Sequence, residues 1–196
     1  MSTRTSLRSL AAAALALSGS VALAAGGTIT GKVESTPAKF LAETVVYLEK
    51  APPTGGAQSH AMDQRNMTFE PHLLVIQAGD SVKFLNHDSV VHNVYSPDNE
   101  GYNLGAFKQN EERSYTFSSA GSYTQLCSIH PEMLGFIFVA PSRHAAAVDK
   151  AGGFTLRDVP PGTYKLAIWN SHLKAPAKDV TVTAGGTATV NFSIKR

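Results

Sequence analysis

Cysteine is almost missing from this chain: Cys127 is the only one in 196 residues, so no intramolecular disulfide can hold the fold. Charge is balanced rather than one-sided, with 17 Lys and Arg against 15 Asp and Glu. The dense basic patch that nucleic-acid binding requires is absent, which excludes a nucleic-acid partner. No apolar run reaches the roughly 18 to 20 residues of a membrane-spanning helix. No G-x-S-x-G elbow, H-E-x-x-H helix or H-x-H pair occurs. Their absence removes nucleophile-elbow hydrolysis, zinc peptidase chemistry and multicopper catalysis, and the chain does not read as an enzyme.

The N-terminus has a basic segment with Arg4 and Arg8, an Ala/Leu-rich run from Leu10 to Leu17, and the small-residue stretch Val21 to Ala25. That order predicts a secretory signal peptide over 1–24, cleaved after Ala24 or Ala25. Its removal takes two arginines and no acid, leaving fifteen of each sign. The expected compartment is the bacterial periplasm. A free thiol there is open to oxidation unless it is buried or bound to metal.

Cys127-Ser-Ile-His130-Pro-Glu-Met133 gathers that single thiol, an imidazole and a thioether into seven residues. Thiolate and imidazole are strong in-plane ligands for copper, and a more distant thioether is the weak axial ligand that tunes its potential. A trigonal site needs a second histidine, and His92 supplies the candidate. A lone cysteine can also be a small buried hydrophobe, so spacing alone leaves metal and packing both open.

Strand context favours metal. Phe69 to Ile76 reads as a strand, then a turn at Gln77 to Asp80, a strand over Ser81 to Leu85, and His92 at a strand start. Ser114 to Phe117 and Ser122 to Leu126 lead into Cys127, and Gly135 to Val139 is a short apolar run of the kind a buried sandwich strand shows. Cys127 therefore ends one strand, Met133 begins the next and His130 lies in the loop between.

Residues 59–140 resemble a cupredoxin, the blue-copper β-sandwich family of plastocyanin, azurin and amicyanin. The resemblance rests on Phe69 and Pro71, Gly79, Val82, Phe84, Asn86, Asp88, His92-Asn93-Val94, Gly121 and the Cys127/His130/Met133 set. The two short gaps make the ligand loop amicyanin-like. It implies one type 1 copper ion with His92, Cys127 and His130 equatorial and Met133 axial, and Asn86 tying the two ligand loops together. It also implies one-electron transfer, with transient redox protein partners docking near His130.

Two of the other histidines read as surface groups. His87 is taken as a solvated loop residue and His72 as a surface residue at a strand start, while His144 and His172 have no metal-like spacing. His60, Met62 and Met67 form a loose cluster that either holds a second, soft Cu(I) ion or is linker and surface.

Outside the central segment lie Ile29-Thr-Gly31-Lys-Val33 and Val46-Tyr-Leu48 on one side. On the other lie Gly153-Phe154, Leu156 and Val159-Pro-Pro-Gly162-Thr-Tyr164, followed by strands over Ala177 to Val182 and Thr187 to Ile194. These pieces resemble the carboxypeptidase-regulatory, transthyretin-like domain. Composite bacterial proteins of this type carry a methylamine-utilisation label by similarity, and no amine-handling residue is evident here.

The expected fold is all-β: a cupredoxin Greek-key β-sandwich inserted into a second, smaller transthyretin-like β-sandwich built from 27–58 plus 141–196. Insertion between the second and third host strands is favoured over the alternative, in which Gly27 to Leu48 adds strands to an enlarged cupredoxin and the C-terminal part stands alone, because two strands alone cannot bury a core. The linkers are 51–56 and 140–147. Three function classes remain: a periplasmic electron carrier cycling Cu(I) and Cu(II), a copper storage or delivery protein motivated by His60, Met62 and Met67, and an interaction module with a regulatory copper site.

Overall fold

The computed structural model describes residues 25–51 and 55–196. The expected leader, 1–24, lies outside them. The chain runs through β1 (Gly27–Ser35), a 3-10 turn (Ala38–Glu43), β2 (Thr44–Leu48), β3 (Ser59–Arg65), β4 (Thr68–Glu70), β5 (Leu73–Gln77) and β6 (Ser81–Asn86). Next come β7 (His92–Ser96), β8 (Tyr102–Phe107), β9 (Glu112–Thr116), β10 (Gly121–Leu126) and β11 (Leu134–Ala140). The C-terminal part holds β12 (Ala145–Ala147), β13 (Gly153–Val159), β14 (Gly162–Asn170), β15 (Lys178–Val182), β16 (Thr187–Thr189) and β17 (Phe192–Ile194).

Four sheets result. The central strands form the orders β4-β3-β6-β9 and β5-β11-β10-β7-β8. Their facing sides enclose a core of Met62, Phe69, Val82, Phe84, Val94, Phe117, Tyr123 and Ile137. The two N-terminal strands pair with the C-terminal ones: β1 with β13, β16 and β17, and β2 with β12 and β14, with β15 beyond β14. Ile29, Val33, Val46, Leu48, Leu156, Leu166 and Ile194 fill that second core. The fold is nearly all β, as expected.

Several expected elements differ in detail. The single strand over Phe69 to Ile76 is two, because Pro71 has no N–H to give a ladder. β4 stays with β3, and after Pro71 and His72 the chain crosses to the other sheet as β5. The terminal strand over Thr187 to Ile194 is likewise split into β16 and β17, both parallel to β1. The expected outgoing linker contains β12, which pairs with β2. Strands β3 and β8 carried no alternating apolar pattern strong enough to announce them.

Period-two alternation makes β11 the pivot of the molecule. Ile137 and Val139 face the central core, while Phe138 and Ala140 face Val45, Tyr47, Ala145 and Trp169 of the flanking sandwich. Phe138 lies 4.9 Å from Tyr47 and 5.5 Å from Trp169, ring centre to ring centre. From Gly135 to Ala140 every residue is buried, which is why this strand, antiparallel to β10 and parallel to β5, reads as an unbroken apolar run. A Cβ at Gly135 would sit 2.8 Å from the Phe69 Cβ, so a larger residue there would force the two strands to shift.

Asp80 fastens the two chain crossings at the opposite end. Its buried carboxylate accepts bonds from the Gln58 backbone at 2.8 Å and the Gln77 backbone at 2.9 Å. It also lies 2.9 Å from His60 Nε2 and takes both arms of the Arg143 guanidinium. Arg143 in turn reaches the Gly56 carbonyl. Burial alone would raise this carboxyl, but the Arg143, Gln77, Gln58 and His60 bonds outweigh it and hold Asp80 well below the usual carboxylate range. A depressed carboxyl stabilises the fold above its unfolded value of 3.8 and loses that contribution as pH falls below it. Asp80→Asn is therefore expected to cost about 3 kcal/mol at pH 7 and to flatten the acid limb of the stability curve. Denaturant unfolding at pH 7 and at pH 3 checks this.

Candidate metal centre

The β10–β11 hairpin builds most of the site. Its ladder ends at Leu126 opposite Leu134, so the whole connection is Cys127 to Met133. Continued one step, the register sets Cys127 opposite Met133 on the core-facing side and leaves His130 at the apex. Both flanking residues are buried, Cys127 at 3% exposure and Met133 at 1%. The Met133 N–H donates to the His130 carbonyl at 3.0 Å, closing the loop. Strand β7 then lies against β10, with Tyr95 opposite Leu126, and delivers His92 beside this loop.

The donor atoms converge. His92 Nδ1 lies 3.0 Å from His130 Nδ1, and His130 Nδ1 lies 3.9 Å from Cys127 Sγ. One donor atom from each of the three residues falls within 4.8 Å of the others, the one such group of His, Cys, Asp or Glu among the described residues. A first-row ion with bonds of about 2.0 to 2.3 Å sets its donors about 3 to 4 Å apart, so the cluster fits such an ion. Its thiolate and two imidazoles, beside a buried thioether, suit copper.

Neighbouring groups orient the donors. His92 is fully buried, and its Nε2 lies 2.8 Å from Asp88 Oδ2, which leaves Nδ1 facing the cluster. Asp88 is itself held by the backbone N–H groups of Asn66 at 2.7 Å and Met67 at 2.8 Å. Burial raises its carboxyl, and the Met67, His92 and Asn66 bonds more than offset this, leaving it below the ordinary range.

Asn93 joins the two donor segments. Its backbone N–H points at Cys127 Sγ at 3.4 Å, and its Oδ1 accepts from the Ser128 N–H at 3.2 Å and hydroxyl at 2.9 Å. Its Nδ2 donates to Asn103 Oδ1 and the Gly105 carbonyl. The expectation gave this role to Asn86, and the structure corrects it. Asn86 donates to the carbonyls of Val90 and Phe107 and accepts from the Asp88 N–H. It shapes the loop before His92 and makes no bond to the Cys127 segment. Ser128 was not singled out at all; the available pointers were the immediate neighbours, Asn93 after one donor and Ser128 after another.

The loose cluster does not gather as a site. Met62 is packed in the central core, His60 is engaged with Asp80, and Met67 is exposed at a turn. His87 is an exposed loop residue paired with Asp63 at 2.7 Å. His144 is buried, and burial lowers its imidazole below the ordinary value.

Residues 57–140 match the family of copper binding proteins of the plastocyanin/azurin type, and residues 137–195 match the carboxypeptidase regulatory-like domain. Among solved structures, the chain is similar to a Cu-containing nitrite reductase from Thermus scotoductus SA-01, at 27% identity and a TM-score of 0.39. That match covers 46% of this chain and 23% of the reductase, so the chain spans about a quarter of its length. A purple cupredoxin from Nitrosopumilus maritimus matches at 27% identity over 42% of this chain and 98% of its own, with a TM-score of 0.37. A reduced amicyanin variant matches at 27% identity over 50% and 98%, with a TM-score of 0.39.

Asn93→Ala removes four side-chain hydrogen bonds, two of them from Ser128. It is expected to cost about 2 to 3 kcal/mol of stability, against about 1 kcal/mol for Ser128→Ala, which removes one. Denaturant unfolding of the two metal-free variants separates the effects.

Proposed function

We propose that this chain, whose residues 57–140 match a copper-binding family of the plastocyanin and azurin type, is a periplasmic one-electron carrier with a single type 1 copper centre. His92, Cys127 and His130 are the proposed equatorial ligands and Met133 the axial one. The observation that carries this reading is the convergence of two imidazole Nδ1 atoms on the only thiol. Copper bound there supplies reversible one-electron chemistry between Cu(I) and Cu(II).

The chain's own groups prepare that exchange. Asp88 fixes the orientation of His92, so little rearrangement is needed between oxidation states. The Asn93 N–H, aimed at the sulfur, stabilises negative charge on Cys127 and helps set the potential. His130 is partly exposed and is the proposed route for the electron. In the same loop region Ile129 is 45% and Leu134 40% exposed, and just before His92 in the chain Val90 is 43% and Val91 39% exposed. This apolar rim fits a redox protein that docks briefly through a small interface.

In the same reading, 59–140 is a guest domain carried between β2 and β12 of a host formed by 27–58 and 141–196. The pairing of β1 and β2 with strands from the far end of the chain supports it. The N-terminal 24 residues are the proposed signal peptide. Copper storage loses its motive, because Met62 is core and His60 serves Asp80.

Optical and EPR spectra of the copper-loaded protein test the centre. Wild type is expected to show an intense thiolate-to-Cu(II) band and narrow copper hyperfine splitting, and Cys127→Ser to lose both. A spectrum unchanged in the variant, or no copper bound by wild type, overturns the proposal.

A further inference from the structure

At the end away from the metal centre, the seam between the two sandwiches opens into a pocket of about 600 Å³, lined by Tyr47, Phe138 and Trp169 together with Glu49, Asn99 and Ser122. Gly121 and Val139, which pair at one end of the β10–β11 ladder, also border it. Cys127 lies just beyond the other end of that strand, about 20 Å away. The pocket is therefore separate from the donor cluster, and what it binds does not depend on the electron-carrier reading.

Its aromatic wall draws on both sandwiches. The β2–β14 register pairs Tyr47 with Ala167 and Val45 with Trp169, which puts both rings on one face of that sheet. Phe138 of β11 meets them from the other side, at 4.9 Å from Tyr47 and 5.5 Å from Trp169. Interplanar angles of 52° and 34° make the wall angled rather than a flat stack. Tyr47 and Trp169 are only partly buried, so each keeps ring surface open to a ligand.

The polar lining has one sign. The Glu49 N–H still donates to the Lys165 carbonyl at 3.1 Å, so the pleat runs on past Leu48 and sets Glu49 on the same face as Tyr47. Its exposed carboxylate makes no hydrogen bond or ion pair among the described residues, while the nearby Lys165 ammonium is held by Asp179 at 2.9 Å. Burial raises the Tyr47 hydroxyl above its ordinary value and the Glu49 charge raises it further, so the negative field reaches that ring. Asn99 Nδ2 donates to the Ser122 carbonyl at 2.9 Å, which leaves its Oδ1 as a second acceptor. No lysine or arginine lines the pocket.

These features select by charge and by hydration. Aromatic faces attract a cation lying within about 6 Å of the ring, and a neighbouring carboxylate adds to the attraction and repels anions. A primary ammonium would give up strong hydrogen bonds to water that rings cannot replace. A methylated ammonium holds its water weakly and offers methyl groups to the rings. We infer that this pocket binds a ligand carrying a quaternary, methylated ammonium group, packed against Tyr47, Phe138 and Trp169 with its charge toward Glu49. Such a ligand touches both sandwiches at once.

Trp169 is the only tryptophan of the chain, so its emission reports on the pocket directly. The test titrates the full chain, copper-free and loaded with Cu(I), with choline and with its uncharged isostere, in which a tert-butyl group replaces trimethylammonium. Wild type is expected to show a saturable, one-to-one response to choline in both forms and to bind the isostere about tenfold more weakly or less. Glu49→Gln, at an exposed position, is expected to weaken choline about tenfold and leave the isostere unchanged, and Tyr47→Leu to weaken choline by a similar factor. Circular dichroism shows whether the variants remain folded. No saturable response of wild type to choline, equal binding of the two probes, or unchanged choline affinity in folded Glu49→Gln overturns the inference.

Discussion

The outward face of β11 must be covered, and that constraint organises both the site and the seam. Phe136 and Phe138 would otherwise present two aromatic rings to water from the middle of a sheet, and Trp169 and Tyr47 cover them. The opposite face of the same strand supplies Ile137 and Val139 to the central core. The first residue before the strand is Met133, and its ladder with β10 sets where Cys127 stands. A shift of one residue in that register would turn the thiol and thioether outward and expose the apolar face that now meets the flanking sandwich. Strand register, seam packing and metal-site geometry are therefore one requirement seen from three sides.

Two polar centres complement this apolar one. Asp80 gathers the incoming and outgoing crossings through Gln58, His60 and Arg143. Asn93 does the corresponding work at the metal end, linking the β7 and β10 termini through Ser128 and the cysteine sulfur. Each places a fully engaged polar group where loops converge, because backbone groups there have no ladder to satisfy them.

Much of the central segment was legible in advance. The C-x2-H-x2-M spacing, with β-rich sequence on both sides and His92 upstream, pointed to His92, Cys127 and His130, whose side chains converge. The alternation along β6 and the turn before it were equally readable, because half-buried strands write their environment with a period of two. The pattern was weaker where local chemistry overruled it. Pro71 ended one strand and redirected the chain to the other sheet. β3, with His60, Ala61 and Met62 between polar neighbours, looked like linker and is an integral strand.

What the sequence by itself determined is the order and spacing of Cys127, His130 and Met133 and the periodicity that buries Cys127 and Met133, since these depend on residues close together in the chain. What only the tertiary structure decided is which distant groups share a point in space. It made Asn93 rather than Asn86 the link to the Cys127 segment, set Asp88 behind His92, and brought Tyr47 and Trp169 onto Phe138. No local spacing encodes such meetings, because each depends on how whole sheets stack and where their loops are then forced together.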